Sequence, residues 1–144
     1  MNVAQYVANW IATVTPRVYG VCGSHAMYLN DAICNHPDIT FTATHHEQAA
    51  VMAAGFYWRT CGHLSVAIVT TGAGSSNALT GVLAAFMDST PLIVISGNEP
   101  SAAMTGKTRV LGVQGYGSSE LVSPIVKVAY RMESGGSISP INDL

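Results

Sequence analysis

Charge is what this sequence has least of. Asp, Glu, Lys and Arg make up 10% of its 144 residues, against a usual share of about 25%. A chain so poor in charge is expected to bury surface against a second domain or a partner subunit. The net charge of −2 offers no attraction to nucleic acid or to an acidic membrane. There is no basic cluster, no zinc-finger spacing and no aromatic platform flanked by lysines. Cys22, Cys34 and Cys61 are scattered and form no CxxC pair, which argues against a disulfide scaffold or a structural zinc and for buried free thiols in a reducing compartment. No apolar run reaches the roughly 18 residues of a membrane span. The opening residues lack the basic start and apolar core of a secretion signal, so a cytoplasmic protein is expected. Gly-x-Ser-x-Gly is absent, as is a Cys–His pair with an orienting third residue.

What is present alternates. Val3, Tyr6, Val7, Trp10 and Ile11 have the spacing of a one-faced helix, and Pro16 helps to end it. RVYGVCG reads as a strand closing in glycine, and SHAMYLNDAICN as a helix with Ser24 as its cap. DITFTA is a short β-branched strand. A small-residue helix then runs to the stop at Cys61-Gly62. LSVAIVTT is continuously apolar, as expected of a strand covered on both faces of a parallel sheet. GAGSSN breaks it, ALTGVLAAFMDS resumes as helix, and LIVIS reads as a second buried strand. The alternation predicts a three-layer α/β/α fold with a mostly parallel sheet, and no internal repeat is visible. A Gly/Ser/Thr-rich stretch from Asn98 reads as a long surface loop. LVSPIVKVAYRM returns to a short ordered element, giving a domain over 1–132 and a tail or truncated linker over 133–144.

Two glycine corners follow strands, one at Gly20, Gly23 and Ser24 and one at Gly72, Gly74, Ser75, Ser76 and Asn77. Such corners let a ligand approach backbone at the carboxyl ends of parallel strands. The second has neither the lysine of a P-loop nor the dinucleotide fingerprint, so a tight packing turn explains it equally well. Glu47 opens the small-residue helix. It is either a dipole-favoured charge capped by Thr44 in a Thr-x-x-Glu box, or a carboxylate in an apolar cleft that shares a proton with a ligand nitrogen. His45 and His46 are adjacent and cannot share a helix face, so no metal site is expected there. Phe56, Tyr57 and Trp58 suit core or interface, and Asp88 suits bonds to the Ser-Thr-Pro turn or to a partner chain.

Taken in order, these segments resemble the pyrimidine-binding (PYR) domain of thiamine-diphosphate-dependent enzymes, in the acetolactate synthase and pyruvate oxidase-like branch. His46, Glu47, Gln48 and Ala50 match that family's His-Glu-Gln-x-Ala stretch. Gly72, Gly74 and Asn77 match its Gly-Pro-Gly-x-x-Asn turn, with Ala73 in place of proline. Asp88, Ser89 and Pro91 match an Asp-Ser-x-Pro segment, Gly20 and Gly23 the first-strand corner, and Gln114, Pro124 and Lys127 a later Gln…Pro-x-x-Lys segment.

The resemblance implies a thiamine-diphosphate-binding fold. It assigns Glu47 to the aminopyrimidine N1', where it promotes the imino tautomer. It assigns Gly72, Gly74 and Asn77 to support of the cofactor ring across a subunit interface, and Gly23, Ser24 and Gln114 to the substrate side of the cleft. The reaction implied is decarboxylation or carboligation of a small 2-keto acid, with the cofactor as electron sink; flavin content stays open. The family holds diphosphate and Mg2+ on a separate domain through a Gly-Asp-Gly motif, which this sequence lacks. The chain is therefore expected to be half of a cofactor site: part of a longer enzyme, a subunit of a split one in a homo- or hetero-oligomer, or a non-catalytic relative kept for interaction or regulation. Gly115 replaces an acidic residue that often follows the glutamine, which puts one contact to substrate or partner in doubt.

Overall fold

The computed structural model describes residues 1–100, 115 and 117–132. Gln114 and the 133–144 tail lie outside the described residues, as does most of the expected loop after Asn98. The elements are α1 (Val3–Val14), β1 (Arg17–Gly20), a 3₁₀ turn (Ser24–Ala26), α2 (Met27–Cys34), β2 (Thr40–Ala43), α3 (Glu47–Cys61), β3 (Val66–Val69), α4 (Ala73–Asn77), α5 (Leu79–Met87), β4 (Ile93–Ser96), α6 (Ser118–Val122) and a second 3₁₀ turn (Ser123–Ile125).

The four strands form one parallel sheet in the order β2-β1-β3-β4. Side chains of successive strand residues point to opposite faces, and the two cores divide on that period. Val18, Val66 and Ile68 pack with Val7, Ala8 and Ile11 of α1 and Ile33 of α2. Ala67 and Val69 pack with Val51 and Ala54 of α3 and Val82 of α5, and Tyr19 and Val94 border that cluster. The expected three-layer arrangement is thus present. Ile11, Ile33 and Ile68 are fully enclosed, each contributing about 1.5–3 kcal/mol by burial, and they hold the strand ends in place. Every residue of β3 is buried, as its unbroken apolar run predicts.

Several expectations are corrected. β4 is only half-buried, because among the described residues it is an edge strand. All three cysteines are exposed rather than buried. Cys22 lies at the corner after β1, and Cys34 and Cys61 each end a helix, positions that reach the surface. Ser24 does not cap α2; the chain enters through the 3₁₀ turn, which begins from the extended backbone of Gly23. GAGSSN is more than a break: Gly72, at φ 67°, turns the chain in a region that only glycine enters freely, and the next five residues coil as α4. Among the described residues, no helix is long and apolar enough to cross a membrane.

Candidate active site

The sheet's carboxyl end gathers the residues of interest. α3 begins one residue after His46, whose extended backbone and ring Nδ1 cap it by accepting the Gln48 N–H at 3.2 Å. Thr44 donates to the His46 carbonyl instead, at 2.9 Å. The Thr-x-x-Glu box is therefore not formed: Glu47 is the first helical residue, too early to reach back to a cap at Thr44. Its side chain turns inward and is buried, with the residue 8% exposed.

Asn77, thirty residues on, meets it there. The Asn77 Nδ2 donates to Glu47 Oε2 at 3.0 Å. The other oxygen, Oε1, lies beside Gly74, where a Cβ would come within 3.2 Å of it and within 2.7 Å of Thr70 Cγ2. Gly23 presses on the same threonine: a Cβ there would stand 2.4 Å from Thr70 Cβ. The Thr70 hydroxyl is buried and has no hydrogen-bond partner among the described residues. Gly72 and Ser75 shape the turn, with the Ser75 hydroxyl donating to the Gly72 carbonyl at 3.0 Å. Glu47, Gly74, Asn77 and, through Thr70, Gly23 are thereby brought together. Ser24 stands next to Gly23 on the exposed side of the corner.

The arrangement fits the ring end of an aminopyrimidine cofactor. A carboxylate shielded from water, with one oxygen fixed by an amide donor and the other against a position kept clear of any side chain, is suited to sharing a proton with a ring nitrogen. The helix dipole of α3 favours the negative charge at this first position. Among the described residues, no three His, Cys, Asp or Glu side chains cluster as metal ligands would.

Asp88 pairs with Arg59 of α3, and Arg59 Nε also donates to Thr90 at 3.3 Å. Asp88 was expected to bond the Ser-Thr-Pro turn or a partner chain; here it is met by a helix residue of its own chain, and it is Arg59 that bonds Thr90 of that turn. Tyr57 and His63 stack, Tyr57 reaches Tyr19, and Phe56 is exposed under the Arg59 guanidinium. Burial pushes the Tyr19 hydroxyl above its ordinary range. Two groups at this end were missed in the sequence, Thr70 and Glu99. A clue to Glu99 was available, since it is one of only eight acidic residues and stands two residues after Gly97, the glycine that follows β4.

Comparison with known proteins bears on the family of the fold. Residues 1–125 match the family described as thiamine pyrophosphate enzyme, N-terminal TPP binding domain. The chain is 32% identical over 120 residues to the acetolactate synthase large subunit of Buchnera aphidicola subsp. Schizaphis graminum, covering 81% of this chain and 20% of that one. It is 31% identical over 128 residues to the acetolactate synthase isozyme 3 large subunit of Escherichia coli K12, covering 87% and 21%. It is 38% identical over 88 residues to the mitochondrial acetolactate synthase of Schizosaccharomyces pombe, covering 61% and 13%. The aligned regions amount to about a fifth of the length of the first two relatives. With a family model matching residues 1–125 and the parallel α/β fold in place, the chain belongs to the N-terminal TPP-binding domain family of thiamine pyrophosphate enzymes.

Proposed function

We propose that this chain supplies the pyrimidine-binding half of a thiamine-diphosphate-dependent 2-keto acid decarboxylase or carboligase of the acetolactate synthase type. Diphosphate and Mg2+ would be held by another domain, in the same polypeptide or in a partner subunit, within a homo- or hetero-oligomer. The observation that carries the reading is the buried Glu47 carboxylate, tied through Oε2 to Asn77. When bound, the cofactor supplies an electron sink for a 2-keto acid that loses carbon dioxide. Glu47 would share a proton with ring nitrogen N1', and Asn77, bonded to Oε2, would leave Oε1 free to meet the ring. Gly74 keeps that approach free of a side chain. The walls of α3 and β3 exclude water, which strengthens the hydrogen bond. Three exposed, unpaired thiols support a reducing compartment, the cytoplasm.

A second reading, an α/β interaction or regulatory module, draws support from exposed Phe56, Phe86 and Met87 on α3 and α5. Glu47→Gln in the assembled protein separates the two. The catalytic reading expects pyruvate turnover, with thiamine diphosphate and Mg2+ supplied, to fall by about 100-fold or more, while native mass measurement shows assembly intact. Unchanged turnover refutes it. The chain on its own, holding one end of the cofactor, is expected to be inactive; turnover by the purified chain would overturn that.

A further inference from the structure

The helix that carries Glu47 is capped by a side chain whose capping power depends on its proton. Helix caps are mostly Asn, Asp, Ser and Thr, whose oxygens accept a hydrogen bond throughout the neutral pH range. In α3 the cap is His46, whose ring Nδ1 accepts the Gln48 N–H at 3.2 Å. An imidazole nitrogen that accepts carries no proton, so the ring is neutral with its proton on Nε2. An imidazolium has an N–H at both positions and no acceptor left.

Backbone bonds tie His46 in place and leave its ring to the helix. Its carbonyl accepts the Ala50 N–H at 3.2 Å and the Thr44 hydroxyl at 2.9 Å. The Thr44 N–H is bonded in turn to the Gly20 carbonyl at 2.9 Å, at the end of β1. His46 itself is exposed, so its ring exchanges protons with water. The elements packed on α3 are β1, β3, α4 and α5. Of these, β3, α4 and α5 carry no titratable side chain. β1 brings Arg17, at its first residue, and Tyr19, which rests against Tyr57, about three turns further along α3. Asp88, after α5, is paired with Arg59 in the last turn of α3. The titratable neighbours of the ring are therefore His45 and Glu47 of its own segment, and among the described residues it makes no ion pair with either. Glu47 is turned inward to Asn77. The positive end of the α3 dipole further opposes a charge on the ring.

We infer that neutral His46 is a positioning residue for Glu47: its unprotonated Nδ1 fixes where α3 starts, and protonation of the ring releases Glu47 from the rim. The inference rests on the function proposed above. With Nδ1 protonated, two N–H groups face each other at the cap. The Gln48 N–H then has no side-chain acceptor and the first turn frays. α3 starts later, and Glu47 loses the direction that brings Oε2 to Asn77. The proton comes from water and returns to it, and His46 makes or breaks no bond in the substrate. Turnover is therefore retained while the ring is neutral and lost as pH falls through its titration.

Three measurements test this. In the full chain labelled with 15N-histidine, near neutral pH, His46 should show a bare Nδ1 and a protonated Nε2, its signals identified by their loss in His46→Asn; the opposite tautomer, or an imidazolium, would overturn the inference. The Gln48 amide should lose about fivefold of its protection from hydrogen exchange, the worth of a typical cap, once the ring is protonated. In His46→Asn, whose side chain caps without titrating, that protection should stay level over the same pH interval. In the assembled enzyme, His46→Ala should lower kcat about fivefold. His46→Asn should recover most of that loss and carry turnover to lower pH than the wild type. Identical pH profiles for the wild type and His46→Asn, or full kcat in His46→Ala, beside an inactive Glu47→Gln, would refute the positioning role and leave the functional reading standing. Full turnover in Glu47→Gln would overturn that reading and the role of His46 with it.

Discussion

Asn77→Ala tests the central contact of the site without touching the carboxylate itself. It removes the amide N–H that Glu47 Oε2 accepts at 3.0 Å. A hydrogen bond to a charged group contributes about 1.5–3 kcal/mol, and a neutral one about 0.5–1.5 kcal/mol. Glu47 is 8% exposed, so little water reaches the abandoned oxygen. Asn77 is itself half-buried, and water entering the space left by its amide would offset part of the loss. The expected cost is about 1.5–2 kcal/mol, which lowers the melting temperature by roughly 5 °C in a domain of this size. In a Glu47→Gln background the same change should cost about half as much, because the amide oxygen accepts only a neutral bond. Glu47→Gln by itself should keep or raise the melting temperature, since a charge no longer has to be held away from water; stability gained at the expense of activity is a common sign of a functional group. Thermal and urea unfolding of the four proteins of this double-mutant cycle measures each value. An Asn77→Ala cost below about 0.5 kcal/mol, the low end for a neutral bond, would refute the reasoning, as would equal costs in the two backgrounds.

Further predictions concern the packing and the surface. Gly74→Ala should destabilise by about 1–3 kcal/mol through overpacking, and Thr70→Ser should relieve much of this, because the methyl group that Gly74 would meet at 2.7 Å is then gone. Gly23→Ala should cost more and resist the same rescue, since its added carbon meets Thr70 Cβ itself at 2.4 Å; equal costs and equal rescue would contradict the geometry. Burial, followed by Cys22 and Asp31, pushes the Cys34 thiol up, although the residue is exposed. Its alkylation by iodoacetamide should therefore rise at higher pH than that of an ordinary thiol, and Asp31→Asn should move the curve back towards lower pH. By linkage, the fold favours the neutral thiol, a contribution complete below the ordinary thiol range and lost as pH climbs through the raised value of Cys34. Asp88→Asn should change stability by less than about 1 kcal/mol, because its pair with Arg59 is half exposed; a larger loss on urea unfolding would show that the pair does more than the exposure allows.

Local signals carried the architecture far. The unbroken apolar run of β3 indicated a strand covered on both faces, and it lies between β1 and β4 with every residue buried. Glu47 was visible as a carboxylate in a helix's first turn. Its direction was not visible, because that depends on whether the helix starts after Thr44 or after His46, a shift of two residues decided by the His46 backbone. Its partner Asn77 stands thirty residues away, and no local pattern joins the two. The same holds for Thr70, whose role comes from two glycines in separate loops, and for Glu99, whose burial is a tertiary outcome. The exposure of the cysteines was misjudged because composition reports how buried a residue type usually is, whereas these three sit where elements end.

The order β2-β1-β3-β4 explains why such distant segments converge. After β1 the chain leaves over the face covered by α1 and α2, and after β3 it leaves over the face covered by α3 and α5. Neighbouring strands whose continuations part in this way open a crevice at their carboxyl ends, the usual ligand position in open α/β sheets. Gly23 leaves on one side of that crevice and Gly74 on the other, and both rest on Thr70. The connection from β2 to β3 must pass over β1, and α3, which packs on β1 and β3, makes that crossing. Because the strands are parallel, a helix returning from β2 starts at the carboxyl end and runs away from it. Only its first turn can therefore place a side chain on the rim. Within that turn each residue rotates about 100° from the last, so a carboxylate one place later would face away from Asn77. The position of Glu47 as the first residue of α3 thus follows from the strand order combined with the cap at His46. Moving that cap would displace the carboxylate from the rim without altering a single strand.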